Sequence, residues 1–143
     1  MDKTADYPVL EAQGLPETTT KLKFSVQHSE DGEFNTDGLR TYFEYRDLGI
    51  KNATGGKVLA HVVRARPGSG ERSGRHRHLL DFQMVYILKG WVRFDYEGVG
   101  EITLKAGSCV HQPPGIRHTE IDHSDDLELI EITMPADFTT QDL

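Results

Sequence analysis

His76 and His78 stand one residue apart in the stretch GRHRHLLDFQMVYILKG, residues 74–90. On a β-strand, residues i and i+2 face the same way. Two imidazoles would then project side by side, with Arg77 on the opposite face. Neutral imidazole nitrogen is a common ligand for divalent transition metals. Two surface histidines beside an arginine would give the same tripeptide, so the rest of the chain decides. Gln83 begins an apolar run, and a buried amide without partners costs about 2 kcal/mol or more. It must find hydrogen bonds or a metal. Further on, Pro113 and Gly115 in SCVHQPPGIRH form a turn, which delivers His118 onto the following strand.

The elements that must position these groups read as strands. Alternation or β-prone composition marks KLKFSVQ (21–27), LRTYFEYRDL (39–48), KVLAHVVRAR (57–66), the HxH strand with FQMVYILKG, and WVRFDYEG (91–98). EITLKAG (101–107), SCVHQPPG (108–115), IRHTEID (116–122) and LELIEITM (127–134) complete the series. Gly90 is a tight turn between two of them. No window supports a helix of about ten residues, so eight to ten short strands predict an all-β sandwich or barrel. Met84–Leu88 is apolar without alternation, which predicts burial on both faces. Residues 1–20 read as a tail or arm, and 21–143 as a single barrel domain.

Composition narrows the function. The chain has 143 residues and a formal net charge of −7, enough for one sizeable core and contrary to a nucleic-acid binder. Its apolar runs are too short to span a bilayer. The N-terminus has no apolar signal core. The single cysteine, Cys109, rules out an internal disulfide and fits a reducing compartment. A soluble cytoplasmic protein, touching neither nucleic acid nor membrane, is the expectation.

With these residues in place, the sequence resembles the cupin family. The first cupin motif is G-x5-H-x-H-x3,4-E-x6-G; here Gly70, His76, His78, Gln83 and Gly90 fit its spacing. The second is G-x5-P-x-G-x2-H-x3-N; here Gly107, Pro113, Gly115, His118 and Asp122 fit. Gln83 replaces the usual Glu, and Asp122 the usual Asn. The motifs span 70–122. The resemblance implies a double-stranded β-helix (the cupin, or jelly-roll, barrel), here with extra N-terminal strands. It also implies one divalent transition metal held by His76, His78, Gln83 and His118.

Gln83 would leave a divalent site near +2, since His and amide are neutral. That makes the ion a stronger Lewis acid and disfavours hard Mn²⁺. Fe²⁺ is favoured, with Zn²⁺, Ni²⁺ and Cu²⁺ as alternatives. Asp81 shares parity with Gln83 and ranks second as an oxygen donor. Phe94, His111 and Cys109 are candidates for the pocket wall, although a hydrogen-bonded His111 and a buried Cys109 thiol are the commoner outcome. His28, His61 and His123 read as structural or exposed. Arg64, Arg66, Arg72, Arg75 and Arg77 cluster, and any that ring the mouth would favour a carboxylate-bearing small molecule. The leading expectation is a dioxygenase acting on a small, anionic, oxygenated substrate. The alternatives are a non-redox isomerase, lyase or decarboxylase, and a non-catalytic ligand-binding module. The doubly apolar Met84–Leu88 strand predicts a homodimer.

Overall fold

The computed structural model describes residues 22–68 and 72–143. The expected tail and the motif glycine Gly70 lie outside the described residues. Ten strands build two five-stranded antiparallel sheets. In chain order they are β1 (Phe43–Asp47), β2 (Leu59–Ala65), β3 (His76–Leu79), β4 (Phe82–Lys89), β5 (Trp91–Tyr96), β6 (Gly100–Lys105), β7 (Cys109–His111), β8 (His118–His123), β9 (Glu128–Met134) and β10 (Thr139–Asp142). One sheet runs β1-β2-β9-β4-β7 and the other β10-β3-β8-β5-β6. A one-turn helix, α1 (Ile50–Ala53), sits between β1 and β2. This is the jelly-roll barrel that the spacing predicts.

The inward positions grade from polar to apolar along the barrel. On β4 they are Gln83, Val85 and Ile87, and on β9 Leu129, Glu131 and Thr133, paired Gln83↔Thr133, Val85↔Glu131 and Ile87↔Leu129. Ile87, Leu129, Val92, Leu104 and Leu127 plug one end as the hydrophobic core. Each such side chain, fully buried, stabilises the fold by about 1.5–3 kcal/mol. The polar end stays open as a cavity.

Three sequence expectations change. Residues 22–27 make one isolated bridge rather than a strand; Lys23 donates its backbone N–H to the Ala53 carbonyl. Met84–Leu88 is not buried on both faces. Strand β4 alternates, and its outward Tyr86 and Leu88 remain 39% and 44% exposed. The run reads as uniformly apolar because its outward residues are apolar too. Finally, β10 is an extra strand. TTQD has no apolar pattern, and it is held by pairing with β3.

A strap spanning residues 35–42 leads into β1 along the cavity wall. Asn35 and Tyr45 exchange both backbone hydrogen bonds at 2.8 Å, and the Arg40 N–H donates to the Tyr45 hydroxyl at 2.9 Å. Gly38 lies against the Tyr45 ring so closely that a Cβ there would sit 2.2 Å from two ring carbons. Gly38→Val should therefore lift the strap and cost about 1–3 kcal/mol, as overpacking does. Thermal unfolding of the variant checks this, and a wild-type melting temperature would refute the close packing.

Candidate metal centre

His76 and His78 project inward from β3, and His118 from the start of β8, directly opposite His76 in the only pairing of those two strands. All three rings are buried, at 4%, 7% and 2% exposure. Their centroids lie 4.2–5.1 Å apart, and one ligand nitrogen from each falls within 4.8 Å of the others. The Nδ1 atoms are committed to the protein. His76 donates to the Gly74 carbonyl at 2.7 Å and His118 to the Ile116 carbonyl at 3.0 Å. The Thr140 hydroxyl of β10 meets His78 Nδ1 at 2.8 Å. A carbonyl only accepts, so His76 and His118 must carry their proton on Nδ1, leaving the Nε2 lone pair free. Three buried imidazoles, two of them with their tautomer fixed, fit a transition metal and could hold one.

The same burial keeps the rings neutral. Desolvation first, then the charges of His118 and His76, pushes His78 from 6.5 down to about 4. Desolvation likewise takes His118 to about 4, against the Ile116 hydrogen bond and with help from His76, Arg40 and Arg75. His76 is lowered by burial too. At neutral pH these nitrogens are ready donors rather than cations.

The open face of the triad looks into a cavity of about 570 Å³. Phe94 and Gln83 line it, as do His61, Glu120, Glu131, Arg40 and Tyr42. Aromatic rings box the histidines: Phe94 and Tyr96 lie 6.1 and 5.6 Å from His118, and Phe138 lies 5.4 Å from His78. Tyr96 is pinned by donating to Gln112 Oε1 at 2.7 Å.

Gln83 is 3% exposed. Its Nε2 donates to Glu131 Oε2 at 2.8 Å, which leaves the amide oxygen as its remaining polar atom. The other carboxylate oxygen of Glu131 contacts His61 Nε2 at 2.7 Å. Burial pushes the Glu131 carboxyl up, but the hydrogen bond and charge of His61, followed by the Gln83 bond, outweigh it and hold the group below its usual range. A second couple, Glu120 and His123, meets at 2.5 Å and is 96% buried on both sides. Sequence reading missed both carboxylates. Each sits in an alternating strand where an inward Glu looks like any other period-2 position, and only the partner strand reveals its imidazole.

Other candidates fall outside the cavity. Cys109 and His111 pair with Tyr86 and Met84 on β4, and directly paired residues share a face. Both are therefore outward and exposed. Asp81 is exposed ahead of β4. Asp122 faces out because β8 has one more residue than β5 between Glu120 and Asp122, a bulge that switches faces. It pairs with Arg72 at 2.7 Å. The five clustered arginines are matched away from the cavity wall: Arg64 by Glu44, Arg75 by Asp95, Arg77 by Gln141, Arg66 by the Thr41 carbonyl and Arg72 by Asp122. Among the described residues, no helix is long and apolar enough to cross a membrane.

Comparison with known proteins agrees with this geometry. The family model described as a cupin domain matches residues 62–133. The chain belongs to the cupin family. No curated protein matches the sequence. Among solved structures, KdgF from Halomonas sp. aligns with a TM-score of 0.62 at 17% identity, covering 78% of this chain and 94% of that one. The polyketide cyclase RemF from Streptomyces resistomycificus aligns at 0.65 and 12% identity, covering 84% and 85%. The oxalate decarboxylase of Lactobacillus farciminis aligns at 0.59 and 15% identity, covering 81% of this chain but 35% of that one. Identities this low speak for the shared fold.

The depressed histidines give metal-free protein a definite acid sensitivity. Between pH 6.5 and about 4 the unfolded chain takes up protons that His78 and His118 refuse when folded. Stability is thus complete above pH 6.5 and declines as pH falls through that window. Melting temperature measured from pH 7.5 to 4.5 should fall with acidity, and His78→Gln should flatten the slope. A wild-type curve that is flat across this window would contradict it.

Proposed function

We propose that this cupin is a metal-dependent enzyme of non-redox type, a lyase, isomerase or decarboxylase acting on a small oxygenated carboxylic acid. The observation that carries this reading is the Glu131–His61 couple, at 2.7 Å, on the wall of the cavity that holds the triad. When bound by His76, His78 and His118, with the Gln83 oxygen as a fourth donor, a divalent ion supplies Lewis acidity. Neutral donors suit Zn²⁺, Ni²⁺ or Fe²⁺ better than Mn²⁺. The chain's own part is proton transfer. Glu131, held ionised, can accept a substrate proton on its carboxylate, and the hydrogen bond from His61 Nε2 orients that carboxylate. Phe94, Tyr96 and Phe138 exclude water from that side of the triad. The polyketide cyclase and the oxalate decarboxylase among the structural neighbours are in keeping with such chemistry.

The dioxygenase expectation is decided by the same assay. Protein reconstituted with Zn²⁺, Ni²⁺ or Fe²⁺ is incubated with a panel of 2-hydroxy and 2-oxo acids, with and without oxygen, and products are followed by NMR. Turnover without oxygen, reduced about 10²–10⁴-fold in Glu131→Gln at unchanged metal content, is the expected result. Turnover that requires Fe²⁺ and consumes oxygen would overturn it in favour of an oxygenase.

Glu131 also explains the glutamine. A Glu at 83 would face a second carboxylate with no donor between them, and like charges so close resist joint ionisation. Gln83→Glu should lower the melting temperature of the metal-free protein by several degrees, although a carboxylate would be the better ligand for Mn²⁺. The double change Gln83→Glu with Glu131→Gln restores one donor and one charge and should recover the loss. A single variant as stable as wild type would show that the pair does not matter.

The same proposal includes a homodimer. The outward face of the β1-β2-β9-β4-β7 sheet exposes Tyr86 (39%), Leu88 (44%) and Met134 (39%), and a second copy would cover them. Light scattering should give twice the chain mass, reduced to one by Leu88→Lys with Tyr86→Lys. A wild-type monomer at micromolar concentration would contradict it.

A further inference from the structure

Among the described residues, Arg40 Nη2 in the cavity wall is buried without a hydrogen-bond partner, and the Tyr42 hydroxyl beside it faces Glu120 and Ser73 without a well-formed bond to either. Both residues line the cavity that contains the triad. An unmade bond at a buried polar atom is expensive, and more so for a charged group. Among the described residues, no carboxylate forms an ion pair with this guanidinium. Glu120 is engaged with His123, and Glu131 with His61 and Gln83. The cation reaches the triad electrostatically, since its charge contributes to depressing His76, His78 and His118. It is also held in place. The Arg40 backbone N–H is tied to the Tyr45 hydroxyl, and Gly38 seats the strap on the Tyr45 ring.

From this we infer that Arg40, with Tyr42 beside it, is the carboxylate-recognising group of the cavity, and that the ligand is a small carboxylate whose neighbouring hydroxyl or carbonyl oxygen faces the histidines. The planar guanidinium matches a carboxylate with two parallel hydrogen bonds. Tyr42 is kept protonated, its proton loss opposed by burial first and by the Glu120 charge second, so its hydroxyl is a donor. The inference deepens the proposed function and rests on the same cavity. It assigns binding to a residue from the strap, not to the arginine cluster of residues 64–77.

The test titrates acetate, pyruvate, lactate and malonate, with acetamide and lactamide as uncharged controls, into wild type, Arg40→Met and Arg40→Lys by calorimetry. Each protein is measured metal-free and Zn²⁺-loaded, with metal content and melting temperature recorded. The expected result is carboxylate binding by wild type, no binding of the amides, and affinity at least tenfold weaker in Arg40→Met with metal content unchanged. Arg40→Lys keeps the charge without the planar fork and should fall between, which also covers the case of a poorly folded Met variant. Equal carboxylate affinity in wild type and both variants, or no carboxylate binding by wild type in either metal state, would overturn the assignment. Failure of the metal reading shows separately, as absent Zn²⁺, while the metal-free titrations still decide Arg40.

Discussion

The structure depends on one cross-strand contact, His76 of β3 against His118 of β8, their rings 4.2 Å apart. These strands pair through that single position, although 41 intervening residues separate the two histidines in the chain. Everything else at the open end serves to keep the contact polar, buried and orderly. Backbone carbonyls of Gly74 and Ile116 fix two tautomers. The late strand β10 supplies Thr140 to the third ring. Three neutral imidazoles brought together out of water gain little from one another. Their arrangement makes sense as a preformed set of lone pairs, oriented from behind so that a metal need not organise them.

That preference for neutral donors extends to the next layer. The inward carboxyl groups of Glu131 and Glu120 are each matched by an imidazole, His61 or His123. Gln83 fits this arrangement as the donor that one carboxylate needs. A divalent ion held by these neutral donors would keep its full charge toward the cavity, and Arg40 would add to it. With the ion in place, that side of the cavity would favour an anionic guest.

Much of this was legible in the sequence because the spacings encode it. The HxH step, the six residues from Gln83 to Gly90, and the Pro113–Gly115 turn before His118 fix both the barrel and the triad. Phe94, offered by the sequence only as a candidate for the pocket wall, lies in the cavity lining. Glu131 and Glu120 were not legible, because their meaning lies in partners on other strands. Arg40 was hidden in a segment whose residues read only as a β-prone run, whereas the conspicuous arginines are engaged away from the cavity wall, Arg64, Arg72 and Arg75 in ion pairs and Arg66 and Arg77 in hydrogen bonds to neutral groups. Asp122, at the last position of the second motif, and the pair Cys109 and His111 show what spacing and parity leave open. A bulge reverses the first, and the register against β4 turns the others outward. The apolar run Met84–Leu88 misled for a related reason, since an apolar outward face looks like burial when only the sequence is in view.

The central claim is that His76, His78 and His118 hold one metal ion per chain. Plasma mass spectrometry of wild type and the triple alanine variant, each purified, loaded with Zn²⁺ and desalted, tests it most directly. The account predicts close to one equivalent in wild type, with the loss in the variant exceeding the 10–100-fold drop in affinity typical of disturbing only the groups behind the ligands. Equal metal content in the two proteins would contradict it.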